Sequence, residues 1–472
     1  MSSSISALSS LLSNPSSTYD LSSILEAALG ASSPGIDVNA AVSASLSAAE
    51  APEQVWEAQE SLLQSQQSAL TQIQADAGNL DTVAQSLNSL TGPLTATTVT
   101  SSNSSVVTAT SASGSTLGNN VVIVNSLATN DSWSSSTLAS ASATVPTGSF
   151  TLTQANGTAT TITTDGTQTL SDLASQINGD ELGVSANVIT DATGSWLSIV
   201  NNTSGSAANF TVTTSGDTGF GFNEVEPGAN ASLSVNGNQV SGASNTVTGV
   251  IPGLTLNLMG TSSSPVTLSV APDTSQASSA INQFVSDYNT LISAVNTQFT
   301  DTNGDGEGVL STDASVRTLQ SDLLQSIDYT YTPESGTTTM PNLSSMGITM
   351  NSDGTLSINS ATLNNALMSN YNDVQQFFQG TSLDGFANSL DQQLTGFTSP
   401  GDGAFTVDLQ SMSTEYSGLQ SDITNFQTNV IDPLQTQLQA EYSNAETALQ
   451  QLPMELKNVD EELGINSSSS NG

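Results

Sequence analysis

LQSMSTEYSGLQSDITNFQTNV, residues 409–430, decides the fold. Its apolar side chains Leu409, Met412, Tyr416, Leu419, Ile423, Phe426 and Val430 recur at alternating steps of three and four, an uninterrupted heptad pattern. Such a repeat draws one apolar stripe along one helix, and a lone helix cannot bury its own stripe. Pro433 follows, and a bend or stutter is expected there because proline breaks the ladder of helix hydrogen bonds. Beyond it Leu434, Leu438, Tyr442, Ala445, Leu449 and Leu452 continue with extra steps of four, which locally unwind a left-handed supercoil.

The partner is sought at the other end of the chain. From Val55 to Leu90 apolar residues again recur at three and four: Leu70, Ile73, Ala77, Leu80, Val83, Leu87 and Leu90. That helix would run roughly 50 Å at 1.5 Å per residue, and Gly92-Pro93 ends it. Pairing the two ends predicts a coiled-coil-like stalk, with Ile73, Leu80 and Leu87 packed on the C-terminal heptads.

Between the stripes the period falls to two. SVVTAT, NVVIVNSLA, SFTLTQA, VSANVIT, WLSIVNN, ASLSVNG and LTLNLMG read as strands punctuated by Gly, Asn, Asp and Ser. One helical island, TLSDLASQIN at 169–178, interrupts them, which points to small α+β modules. A helix is expected at about 274–299, with Ile281, Phe284, Tyr288, Leu291 and Val295 on one stripe. Shorter helices follow near 312–327 and 360–379, separated by the hairpin GITMNSDGTLSI. The expected class is α+β and multidomain. A Ser-rich leader spans 1–34 and an N-terminal helical stalk 35–94, followed by about two β-rich head modules over 95–272. A helical domain with a hairpin covers 273–400, the C-terminal heptad helix 401–455 and a tail 456–472.

The ionisable inventory narrows the function. Arg317 and Lys457 are the only basic residues against 42 acidic ones, with no His and no Cys, giving a formal charge of −40. Nucleic acid and anionic membrane surfaces are excluded as partners, since both need clusters of Lys or Arg. Charged residues amount to 9% of the chain, against the usual ~25%, so base is missing rather than acid added. The expected setting is an acidic medium, in which carboxylates are largely protonated. No apolar run is long enough to span a membrane, and MSSSISALSSLLSNPSSTYD lacks the basic and apolar regions of a signal peptide. An extracellular type of composition without such a signal points to another export route.

Catalysis has little to work with. Without His or Cys there is no His-based triad and no His/Cys zinc site, and no pair of carboxylates stands out for acid–base work. No enzyme activity and no cofactor are expected. The best metal-like string is DTNGDGEG, in which Asp301, Asn303, Asp305 and Glu307 alternate as in calcium loops. Gly308 and Thr312 then stand where that loop wants an apolar residue and a glutamate, so a solvated Gly/Asp turn is the favoured reading.

Six segments in order resemble the flagellar filament-capping family, hook-associated protein 2. GIDVNAAVSASLSAAEAPEQ is similar to its N-terminal signature, and VTATSASGSTLGNNVVIVNSLA to its first β-segment. TLSDLASQINGDELGVSANVITDATGSWLSIVNN resembles its strand–helix–strand module. VIPGLTLNLMG followed by FVSDYN, with Phe284, Val285, Tyr288 and Asn289, is the most specific match. GVLSTDASVRTLQSDL and MGITMNSDGTLSINSATLNNAL complete the series.

The resemblance implies paired terminal helices with β-rich heads, and self-association, to about five copies, in a plate with legs. It implies a cap at the filament tip that folds and inserts exported flagellin. It further implies the hook–filament junction protein and an export chaperone as partners, and export by the flagellar type III apparatus. Two departures stand out: the leader before Gly35 and the near-absence of base. The alternatives are a surface adhesin or another axial flagellar protein, such as a hook–filament junction protein.

Overall fold

The computed structural model describes residues 37–215, 220–300, 308–333 and 338–462. In chain order come α1 (Val38–Ala49) and α2 (Ala51–Asn88). Next are β1 (Thr97–Ser101), β2 (Val107–Ser111), β3 (Gly118–Ser126), β4 (Asn130–Ser135), β5 (Gly148–Thr153) and β6 (Ala159–Thr164). After α3 (Leu170–Gly179) run β7 (Val184–Asp191), β8 (Gly194–Ser204), β9 (Thr211–Ser215), β10 (Phe222–Glu226), β11 (Ala231–Val235) and β12 (Asn238–Gly242). Then come β13 (Thr246–Thr248), β14 (Leu254–Leu258), β15 (Val266–Pro272), α4 (Thr274–Asn296) and α5 (Ala314–Ile327). The hairpin β16 (Ile348–Met350) and β17 (Leu356–Ile358) precedes α6 (Ser360–Ser369), α7 (Tyr371–Gln379) and α8 (Phe386–Thr398). The chain closes with α9 (Ala404–Phe426), a π-helical turn at Gln427–Ile431 and α10 (Asp432–Glu462). The class is α+β, as expected.

The chain forms two compact units. One takes the described residues of Met1–Gly78, Ser293–Ser321 and Leu394–Gly472, the other Asn79–Ile292 and Asp322–Gln393.

Within the second unit, alternation builds two β-modules. In the first, a sheet ordered β1-β15-β3-β11-β12 faces a sheet ordered β13-β14-β2. LTLNL of β14 and ASLSV of β11 bury every second residue, as a pleated strand with one wet face must. Val122, Leu233, Leu256 and Leu268 meet in the dry layer between these sheets. β3 and β11 pair directly, and the second module is the chain inserted between them. There the sheets β10-β4-β8-β7 and β6-β5-β9 share a core with α3. Leu170, Leu173 and Ile177 put the apolar face of α3 into that core. Thr169 and Asp172 cap its start reciprocally, the side chain of each taking the backbone N–H of the other.

The helical part of this unit is held by aromatic rings. Phe377 and Phe386 stack at 5.3 Å, and Phe284 meets Phe386 edge-on at 5.5 Å. Tyr329 lies against both Phe377 and Phe386 at 5.8 Å. Edge-on and offset rings of this kind gain about 0.5–1.5 kcal/mol per pair beyond area burial. The expected helix near 360–379 is two helices, α6 and α7, separated at Asn370. Gly354 closes the β16–β17 turn at φ +81°, a left-handed conformation that favours glycine.

Candidate functional site

The site with a functional reading is the terminal helix pair of the first unit. Asp37 starts α1 by accepting the Ala40 N–H at 3.1 Å. Ala41, Val42 and Leu46 of α1 then pack on Ile431 and Tyr442, with Leu434, Leu438, Ala445 and Leu449 around them. Ser45 and Tyr442 hydroxyls meet at 3.0 Å within this contact.

α2 and α9 run antiparallel. Trp56 meets Phe426 edge-on at 5.3 Å, Gln59 donates to Glu415 at 3.2 Å, and Gln74 donates to Thr406 at 3.2 Å. Gln420 donates to Glu60 at 3.0 Å, and Gln427 donates to the buried Glu53. Each of these is an amide or an aromatic contact where a common helix pair would use Lys or Arg. With two bases in the whole chain, glutamine is the donor that acidic partners receive.

The predicted stripe residues separate into three groups. Leu419 is buried, while Leu409, Met412, Tyr416, Ile423 and Phe426 are half-buried. Val430 is 44% exposed and Ile431, its neighbour, only 8%. Val430 was expected on the stripe and Ile431 was not. The π-helical turn explains the exchange: the Asp432 N–H bonds back to Gln427 O, five residues earlier, so one extra residue is wound in. The stripe steps from Phe426 to Ile431 and resumes at Leu434 and Leu438. The expected break at Pro433 is therefore a register shift just before it. Proline offers no N–H and its ring strikes the carbonyl four residues back in an α-helix, and the wider turn removes that conflict.

Of the N-terminal stripe, Ile73 is buried in the first unit, whereas buried Leu80 and Leu87 lie in the second. The antiparallel register accounts for this. Gln74 already meets Thr406 near the start of α9, so residues beyond it have run past that helix. In the second unit the Leu87 carbonyl instead accepts Gln379 Nε2 at 3.0 Å. Asp301, Asn303, Asp305 and Glu307 lie outside the described residues. Among the described residues no cluster of three or more acidic side chains could hold a metal ion. No described helix is long and apolar enough to cross a membrane.

The segments that carried the resemblance prove to be structural. Gly253 of VIPGL sits at φ +77°, and a Cβ there would come within 2.4 Å of Ser115 Oγ, so only glycine fits. Phe284 and Tyr288 are core residues, and Asn289 clamps β17 by donating to Leu356 O at 2.8 Å and accepting its N–H at 2.6 Å. Lone Arg317 donates to Ser311 O at 2.8 Å and stands 5.7 Å from the centre of the Phe299 ring.

Comparison with known proteins agrees with this construction. The family model "Flagellar hook-associated protein 2 C-terminus" matches residues 228–453, and its N-terminal counterpart matches 34–131. A third model, the flagellin hook IN motif, matches 149–203, inside the inserted β-module. The B-type flagellar hook-associated protein 2 of Pseudomonas aeruginosa is 28% identical over 341 residues, spanning 64% of this chain and 70% of that protein. The crystal structure of the D1-D2-D3 domains of the Escherichia coli flagellar cap protein aligns with a TM-score of 0.58 at 26% identity, covering 73% of this chain and 99% of that one.

Proposed function

The chain belongs to the flagellar hook-associated protein 2 family, and from that membership we propose that it is a non-enzymatic cap of the flagellar filament. Several copies assemble at the distal tip, outside the cell, and hold each exported flagellin while it folds into the lattice. Residues 37–78 and 401–455 form the legs in this reading, and 95–272 the heads. Flagellin and the hook–filament junction protein are the neighbours, an export chaperone takes the chain to the type III apparatus, and no cofactor is used.

The observation that carries the reading is the α9 stripe, apolar by sequence yet only half-buried within one chain. A stripe left half-wet by its own helix partner is one that neighbouring subunits can finish covering. Removing the gene from a flagellated host tests the proposal. Loss of motility with unpolymerised flagellin in the medium is expected, and full-length filaments on such cells would defeat it.

A further inference from the structure

We propose that Asp81 on α2 and Asp391 on α8 share one proton, and that this proton latches the two helices together in acidic medium. Both residues belong to the second unit. Gln85, one turn along α2 from Asp81, donates Nε2 to Asp81 Oδ2 at 3.0 Å and to Asp391 Oδ1 at 2.9 Å. One amide thus bridges two carboxyl groups on facing helices. The remaining oxygen, Asp81 Oδ1, is buried, and among the described residues no donor reaches it. Through Gln85 the other carboxyl, Asp391, is held beside Asp81.

Two carboxylates are both acceptors and both negative, so face to face they repel. A proton taken from solvent onto one of them changes the contact to an O–H···O⁻ bond, a short and strong class. It also removes one unit of charge from a partly dry site. Burial first, and then Asp391 as hydrogen-bond partner and as charge, push Asp81 up to about 7 from 3.8. Asp391 is the charged group that faces Asp81 among the described residues, and the neighbour from its own helix, Gln85, is neutral. Where another protein would place a lysine between two acids, this chain has a proton.

The sign follows from the upward shift. The latch is fully made below the ordinary carboxyl range near 3.8 and is lost as pH rises through about 7. Thermal melts of the full chain at pH 5 and pH 8.5 in ~1 M salt, where the Debye length is about 3 Å, keep bulk repulsion small. Asp81→Asn, which mimics the protonated acid, should raise Tm by a few degrees at pH 8.5 and by clearly less at pH 5. Asp391→Asn should do the same and stands in if the first variant folds poorly. Exposed Glu441→Gln is the control and should show no such split. Carboxyl carbon NMR of the unaltered chain should find one aspartate titrating near neutrality, and that signal should vanish in Asp81→Asn. Equal Tm changes at both pH values, or no aspartate titrating above 5.5, would overturn the latch.

Discussion

Leu256 and Leu419 are the same side chain in two regions, and their surroundings differ. Leu256 is fully buried at 0% between the two sheets of the first β-module, among fifteen other buried residues of that core. Leu419 keeps 9% of its surface, and the stripe residues on either side of it are half-exposed. Between α1 and α10 the buried set is small: Ala41, Val42, Leu46, Ile431 and Tyr442. A β-module closes its core within one chain. Two antiparallel helices cover one stripe each and leave their flanks to water or to neighbours. The β-modules are thus self-sufficient, and the terminal pair keeps flanks that a neighbour can cover.

The difference can be broken by substitution in each region. Leu256→Ala should cost about 4 kcal/mol of unfolding free energy in denaturant melts of the isolated chain, by loss of burial and a cavity. Leu419→Asp should cost about 2–3 kcal/mol, since a carboxylate is buried without a partner, and should lower helicity while the β-modules remain folded. A Leu419→Asp protein with unchanged helicity and normal capping would remove the terminal pair from the mechanism. Asn289→Ala should cost about 2 kcal/mol through its two bonds to Leu356, and hydrogen exchange should quicken in the β16–β17 hairpin.

A smaller effect probes charge. Burial, partly offset by the Val316 N–H and joined by the Asp408 charge, holds the Asp313 carboxyl above its ordinary value. Its contribution is fully present below pH 3.8 and is lost as pH rises through the raised value. Asp313→Asn keeps the Oδ1 acceptor for Val316 N–H at 2.9 Å and should therefore stabilise at pH 7 but not at pH 3, read by melts at each pH. The smallest effect is expected from Pro433→Ala, less than about 1 kcal/mol. The five-residue step from Phe426 to Ile431 remains, so the π-helical turn and the burial of Ile431 should persist, as judged by hydrogen exchange.

Periodicity made the helices and strands legible because it reports which face is dry. Ile281, Phe284, Tyr288, Leu291 and Val295, read as one stripe, are all buried. Periodicity does not say where a partner stops. Leu80 and Leu87 share a stripe with Ile73, yet the antiparallel register carries them past α9. It also cannot distinguish a break at Pro433 from a shift wound in a few residues before it. The Asp81–Asp391 pair, more than three hundred residues apart, had no local signal at all.

The extra residue wound in before Pro433 sets a phase. Each residue turns an α-helix by about 100°, so an uncompensated insertion would rotate everything beyond it onto a different face. The wide turn absorbs that rotation once, like a vernier between two scales. The α9 half and the α10 half can therefore be tuned to separate neighbours by length changes in the turn, with no substitution on either stripe.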